Sequence, residues 1–271
     1  MIIALVVFLL LGCLYIYSTR CRSGHPCIQN LRGWAYAHRG LHSSSDGVPE
    51  NSIKAFQLAK DAGYGIEFDV HLLADGNLAV IHDASLKRTV GAEVYIEDLT
   101  AEQLNEYFLE GTDEQIPIFQ QVLDIFSGEA PLIIELKAER NNYAKLCQKV
   151  CDIMDSYSGP YCIESFDPRC IRWLRRNRPD IIRGQLAENY FALPNSKLPF
   201  LLKLVLSFQM MNFLTMPDFV SYRFHDRKNL SNFLCRKLWK TQGVTWTIKS
   251  MEDFDTAVAE NWLPIFEGFR P

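Results

Sequence analysis

Glu67, Asp69 and His71 alternate along residues 65–73, so on a β-strand their side chains share one face. An Asp75-Gly76 pair follows, and a second alternating run ends in His82 and Asp83. Asp-Gly between two such runs predicts a hairpin. With Leu73 set opposite Leu78, Val70 meets Ile81 and Asp69 meets His82. Further along, Glu135 and Lys137 end the apolar run 132–136, and His38-Arg39-Gly40 ends an earlier one. Three carboxylates converging on one pocket (Glu67, Asp69, Glu135) carry too much negative charge to stand alone. Two readings follow from the residues. The carboxylates hold one divalent cation, for which hard oxygen ligands select Mg²⁺ or Ca²⁺ over zinc. Alternatively they form a salt-bridge network with Lys137 and Arg39. If a cation is present, Arg39 and Lys137 are free to clamp an anion, phosphate being the usual one. Two imidazoles beside such a clamp, His38 and His82, suit general acid–base cleavage of a phosphodiester near neutral pH.

These residues need a scaffold that gathers strand ends. The chain alternates short buried strands with helices. Strands are expected at 34–37, from Gly65, and at 132–136, 161–164, 181–185, 218–221, 244–248 and 264–267. Helices are expected at 143–155, 168–177, near 199–214, and at 228–240 and 251–260, with another after Asn51-Ser52. The return arm of the hairpin is antiparallel and is not counted among the eight. Eight strand–helix units predict a (β/α)₈ TIM barrel, whose chemistry sits at the C-terminal strand ends. A doubly wound open sheet is the alternative, but His38-Arg39-Gly40 is not its glycine-rich phosphate turn.

The 271 residues are 48% apolar and 12% aromatic, enough for a large core, and the net charge of -4 makes nucleic acid a poor default partner. The eight cysteines show no paired Cys-x-x-Cys pattern and are expected to be mostly reduced core residues. Residues 1–17 contain no charged side chain. As a helix they measure roughly 26 Å at ~1.5 Å per residue, near the lower limit for a bilayer. The expected organisation is a single-pass transmembrane anchor (1–19), a linker (20–33) and a barrel (34–271). An insertion at 84–130 is expected to lie over its mouth, with helices starting near Thr100 and at Ile116-Pro117-Ile118. Arg20 and Arg22 after the anchor favour a cytoplasmic barrel.

Ala37-His38-Arg39-Gly40, Pro49-Glu50-Asn51-Ser52, Ile66-Glu67-Phe68-Asp69-Val70, Asp75-Gly76, Val80-Ile81-His82-Asp83, Glu135-Leu136-Lys137 and Ser165-Phe166 occur in that order, with Trp246-Thr247 near the end. Together they resemble the motif set of the glycerophosphodiester phosphodiesterase family. The resemblance implies a phospholipase-C-like phosphodiesterase barrel that releases an alcohol and sn-glycerol 3-phosphate. It implies His38 and His82 as the acid–base pair and Glu67, Asp69 and Glu135 as ligands of a divalent cation. It also implies Arg39 and Lys137 on the phosphate and Trp246 against the glycerol. A glycerol hydroxyl would attack phosphorus first, and water would open the cyclic phosphate. Glu267 stands where the family often has an Asp, and His71 is expected as a supporting or rim residue.

The run 198–216 is unusually apolar for a barrel helix and reads either as a wall helix or as a membrane-docking face. Beside an anchor, the second reading brings lysophospholipids within reach, as a lysophospholipase D-like enzyme would need. A catalytically silent barrel that binds phospholipid head groups is the competing class. It would have no need of two histidines.

Overall fold

The computed structural model describes residues 1–194 and 196–271. Eight parallel strands close on themselves: β1 (Tyr36–His38), β2 (Gly65–Leu72), β4 (Leu132–Leu136), β5 (Tyr161–Ser165), β6 (Arg183–Ala187), β7 (Phe219–Arg223), β8 (Gln242–Ile248) and β9 (Trp262–Phe266). Each pairs with the next, and β1 pairs with both β2 and β9, which closes the barrel. The remaining strand, β3 (Leu78–Val80), adds antiparallel to β2 as a return arm. Alternation sorts the side chains. Phe68, Val70, Ile134 and Leu136 pack outward against the helices. Tyr36, Ile133, Cys162, Phe219, Val244 and Ile265 form a buried plug. One step further along the same strand faces, the plug gives way to His38, Glu135 and Glu164.

The outer ring contains α2 (Ile53–Asp61), α3 (Phe119–Phe126), α4 (Tyr143–Met154), α5 (Pro168–Asn177) and α9 (Met251–Ala259), preceded by α1 (Ile2–Ser18). Ser52 caps α2 by accepting from the Ala55 N–H at 3.1 Å. α3 buries Phe119, Val122, Leu123 and Phe126 in the barrel core, so it forms part of the wall although it falls within the 84–130 stretch. The rest of that stretch has its own small core, built on Leu86, Ile96, Leu99, Leu104, Leu109 and Ile116 against the hairpin. The helix expected from Thr100 is a single 3₁₀ turn, Gln103–Glu106.

Two expected helices are broken. The run 199–214 divides into α6 (Phe200–Ser207) and α7 (Asn212–Thr215), because Gln209 adopts φ +54°. Its buried amide donates to Ser231 and Asn232 at 3.2 and 2.7 Å, bonds that tie the break to the next helix. The 228–240 helix is α8 (Leu230–Phe233) running into a π-turn. All eight cysteines are free thiols, six of them buried.

The N-terminal helix forms over Ile2–Ser18, but among the described residues no helix is long and apolar enough to cross a membrane. Its 17 residues reach about 25 Å, against a hydrocarbon core of about 30 Å. The span expected over 1–19 is therefore not shown by the fold.

Candidate active site

The hairpin register differs from the expected one by a residue. Val70 faces Val80 and Leu72 faces Leu78. The loop is three residues, Ala74-Asp75-Gly76, closed by Leu73 N–H to Asn77 O at 2.9 Å, with Gly76 at φ +83°. Such a loop is a turn followed by a left-handed glycine, which shifts the pairing by one. Asp69 therefore lies opposite Ile81 rather than His82, and its carbonyl accepts from the Ile81 N–H at 3.1 Å. β3 ends at Val80, so ladder alternation no longer dictates where His82 points.

Glu67 and Asp69 on β2 and Glu135 on β4 converge because Asp69 and Glu135 are register partners. All three are buried, and one ligand oxygen from each lies within 4.8 Å of the others. Glu67 Oε2 has no hydrogen-bond partner, an orphaned anionic atom that a cation would satisfy. The donor set therefore fits a hard divalent ion. Lys137 and Arg39 lie against the carboxylates. Lys137 Nζ sits 3.0 Å from Asp69 and 2.6 Å from Glu135, and Arg39 Nε lies 3.5 Å from Asp69. Where buried anions crowd, the nearest ammonium settles on them.

Burial, reinforced by the charges of Asp69 and Glu135, pushes the Glu67 carboxyl well above the usual range. Burial also raises Glu135 to about 7, against the pull of Lys137. Asp69 goes the other way. Burial opposes its ionisation, but Lys137, His82, Arg39 and the Asn51 amide (2.9 Å) hold it well below the carboxylate range. One acidic and two reluctant carboxylates thus share the site.

Arg39 adopts φ +56°, and its N–H donates to Glu67 O at 2.8 Å. Gly40 follows at φ +81°, where a Cβ would sit 2.9 Å from Ala55, so only glycine lets α2 pack this close.

Both predicted histidines line one small cleft with Arg39, Glu67, Glu135, Glu164, Phe166 and Trp246. Each is backed by a carboxylate. His38 Nδ1 meets Glu267 Oε2 at 2.6 Å, leaving Nε2 turned toward Glu67 at 3.8 Å. His82 Nδ1 meets Asp83 at 2.6 Å. Burial lowers both imidazoles, His82 to about 4, so at neutral pH each offers an unprotonated ring nitrogen. Trp246 packs edge-on against Phe166, with ring centroids 5.6 Å apart.

His71 is fully buried beneath the mouth. Its Nδ1 meets Glu97 at 2.6 Å, and Nε2 meets the carbonyl of His82 at 3.2 Å. It supports the segment that carries His82, as expected of a residue behind the site. Arg88 is a further site residue that motif reading did not single out, and Glu50, although quoted within a motif, was given no role there. Arg88 donates to Asp83 at 2.5 Å and to both oxygens of Glu50, which also accepts from Arg39 at 3.0 Å. A continuous chain of charges thus runs from His82 through Asp83, Arg88 and Glu50 to Arg39. Its sequence signals were Glu50 within the 49–52 motif and an arginine five residues after Asp83.

Glu164 is a buried neighbour of Glu135 across β4 and β5, and its Oε2 has no hydrogen-bond partner. Burial, with Glu135 adding, raises it well above the usual range. Such a carboxyl holds its proton more tightly folded than unfolded. Its contribution is complete below the unfolded pKa, about 4.3, and is lost as pH rises through the folded value. Glu164→Gln is therefore expected to raise the melting temperature of the cation-free protein by several degrees at pH 8 and negligibly at pH 4. Equal gains at both pH values in thermal melts would remove the explanation.

The sequence matches the model of the glycerophosphoryl diester phosphodiesterase family over residues 38–258. The chain belongs to this family. The match spans every histidine and carboxylate of the cleft except Glu267, which lies beyond it. A glycerophosphodiester phosphodiesterase of Caldanaerobacter subterraneus is 32% identical over 162 residues, covering 56% of this chain and 65% of that one. A lysophospholipase D of Rattus norvegicus is 35% identical over 121 residues, covering 40% of this chain and 37% of the relative. The chain thus spans less than two thirds of these relatives' own lengths. Among solved structures, the Oleispira antarctica phosphodiesterase in complex with its product sn-glycerol-3-phosphate superposes with a TM-score of 0.70 at 19% identity, covering 93% of this chain and 94% of that one. A family member from Parabacteroides distasonis gives 0.67 at 19% identity, over 92% and 93% of the two chains. At these identities the likeness speaks to the barrel fold.

Proposed function

We propose that this chain hydrolyses glycerophosphodiesters to an alcohol and sn-glycerol 3-phosphate, with His38 and His82 as the acid–base pair. The observation that carries the reading is the pairing of two carboxylate-backed imidazoles in one cleft with an acidic triad. A silent head-group binder would have no need of the imidazole pair. The product held by the Oleispira antarctica structure supports glycerol 3-phosphate as the retained half.

Glu267 and Asp83 each anchor an Nδ1–H, which directs the opposite ring nitrogen at the substrate. One imidazole takes a proton from the glycerol hydroxyl that attacks phosphorus, and the other protonates the departing alkoxide. Water then opens the cyclic phosphate with the roles reversed. A bound phosphodiester anion raises the pKa of whichever ring it faces, which lets a group that starts neutral act as the acid. Glu67, Asp69 and Glu135 would hold one Mg²⁺ or Ca²⁺, which supplies positive charge against the phosphoryl oxygens when bound. Arg39 and Lys137 would turn to the phosphate once the carboxylates are otherwise neutralised, and Trp246 would pack on the glycerol.

The test is turnover of glycerophosphocholine by the full chain with Mg²⁺ or Ca²⁺, with chelator, and after metal add-back. Release of choline that stops with chelator and returns with metal is the expected result. Metal-loaded protein that binds glycerophosphocholine without turning it over would support the silent barrel instead. Arg88→Gln is expected to lower kcat about ten-fold or more with little change in KM, since Arg88 holds the partner of His82 rather than the substrate. Arg88→Lys should restore part of the loss. A change confined to KM would instead place Arg88 on the substrate.

A membrane location follows from the uncharged run 1–17 and is part of the same proposal, with the barrel on the cytoplasmic side. Arg20 remains exposed for that purpose, whereas Arg22 is taken up by Asp218.

A further inference from the structure

The two imidazoles of the cleft are held by different parts of the molecule. His38 ends β1, and its partner Glu267 directly follows β9, so both belong to the barrel wall. His82 lies beyond the end of β3, and what fixes it comes from the insertion. Arg88 grips Asp83 on the ring side. On the backbone side a 3₁₀ turn, Ile96–Asp98, presents Glu97, whose Oε1 lies 2.6 Å from Nδ1 of His71. Nε2 of that ring lies 3.2 Å from the His82 carbonyl. The turn is itself tied to the chain just after His82: Ile96 N–H donates to Ala84 O at 2.8 Å, and Leu86 N–H to Val94 O at 2.9 Å. A closed ring of bonds therefore runs from His82 through His71, Glu97, Ile96 and Ala84 back to His82. Two further contacts anchor the turn from outside. Ala74 N–H donates to Leu99 O at 2.9 Å, and Arg140, beyond the end of β4, pairs with Asp98.

The partners dictate where the hydrogens sit. A carbonyl oxygen accepts and cannot donate, so Nε2 of His71 carries a hydrogen. Nδ1 then either donates to a Glu97 carboxylate or accepts from a Glu97 carboxyl, and both arrangements keep Nε2–H on the carbonyl. Without an acid at position 97, a neutral ring is free to place its single hydrogen on Nδ1. Nε2 would then turn a lone pair on the His82 oxygen and the bond would be lost. The pair is buried, with the His71 and Glu97 side chains 1% and 7% exposed, and Glu97 Oε2 has no hydrogen-bond partner. Two aliphatic side chains would fill this space without that desolvation cost. What the polar pair supplies in their place is a directed bond on the peptide that carries His82.

We propose that Glu97 and His71 are positioning residues for His82. Through them the insertion sets the place of one imidazole, while the barrel wall sets the other. Neither residue touches substrate, and both act through the His82 backbone. The effect on turnover rests on the phosphodiesterase reading. The hold on the segment does not.

The test uses the full chain with Mg²⁺ or Ca²⁺. Glu97 is substituted rather than His71, which shares a strand face with Asp69. Glu97→Leu is expected to lower kcat for glycerophosphocholine about ten-fold or more, with KM within about two-fold of wild type. Glu97→Gln should restore most of that loss, because its amide can donate to Nδ1 and leave the ring hydrogen on Nε2. In the His82→Ala background, Glu97→Leu should change the residual turnover by less than about two-fold, since the imidazole it positions is gone. Equal losses in both backgrounds, or a Gln variant as slow as the Leu variant, would show a general structural role and overturn the proposal. A parallel fall in cation affinity would route the effect through Asp69 and also overturn it. Amide hydrogen exchange reads the hold directly: residues 81–86 should exchange faster in Glu97→Leu, while β4 keeps its wild-type protection. Unchanged exchange at 81–86 sinks the idea. If wild type turns over no glycerophosphodiester but exchange at 81–86 rises in the variant, the phosphodiesterase reading fails and the hold on the segment stands. Should Glu97→Leu fail to fold, Glu97→Asp, one methylene shorter, carries the same comparisons.

Discussion

Replacing His82 with alanine is expected to lower glycerophosphocholine turnover by about 10²–10⁴-fold, the usual contribution of a positioned acid or base. The melting temperature and cation affinity should stay near wild type. His82 suits this test because its side chain is about one third exposed and sits beyond the last ladder pair of β3. No core contact is lost with it. His38→Ala should cost as much turnover, but it also strips Glu267 of its 2.6 Å partner, and part of the loss would then be structural. The pH dependence separates the two roles further. With His82 lowered to about 4 by burial, the base form is already populated below neutral pH in the free enzyme. The acidic limb of kcat/KM should therefore lie below the ordinary imidazole value and vanish in His82→Ala if His82 is the base. A ten-fold or smaller loss of turnover would exclude His82 from the chemistry.

Glu67→Gln is the second large effect. Cation affinity and turnover should fall together, by about 100-fold or more, since even residues behind a metal ligand cost 10–100-fold. Glu67 is the informative carboxylate because its Oε2 has no partner, whereas Asp69 is already held by Lys137 and Asn51. Burial and its acidic neighbours hold its carboxyl well above the usual range, so in the cation-free protein it binds its proton more tightly than an ordinary carboxyl. Binding of Mg²⁺ or Ca²⁺ should release that proton, and titration calorimetry in buffers of different ionisation enthalpy would count it. Glu67→Gln should abolish the release. If turnover is unaffected, the triad is a salt-bridge network and no cation is needed.

Much of the site was legible because strand alternation is a local property. Residues two apart on one strand share a face whatever surrounds them, so Glu67 with Asp69, and Glu135 with Lys137, could be paired from spacing alone. Eight strand–helix units were legible for the same reason, and α5 formed over the expected 168–177. The hairpin register was not. Two-residue and three-residue loops around Asp75-Gly76 read alike in sequence, and the choice depends on a left-handed Gly76 and on Asp75 accepting from Ala101 at 2.9 Å in the insertion.

The sequence by itself determined which groups could act: two imidazoles, three carboxylates and two cations at strand ends, on a barrel whose period is written into every strand. Tertiary structure alone decided their partners. Lys137 rests on Asp69 and Glu135, Glu267 backs His38, and Arg88 reaches over from the insertion to hold Asp83. Electrostatic partners are chosen by distance in space and by shared burial, and neither is encoded in separation along the chain.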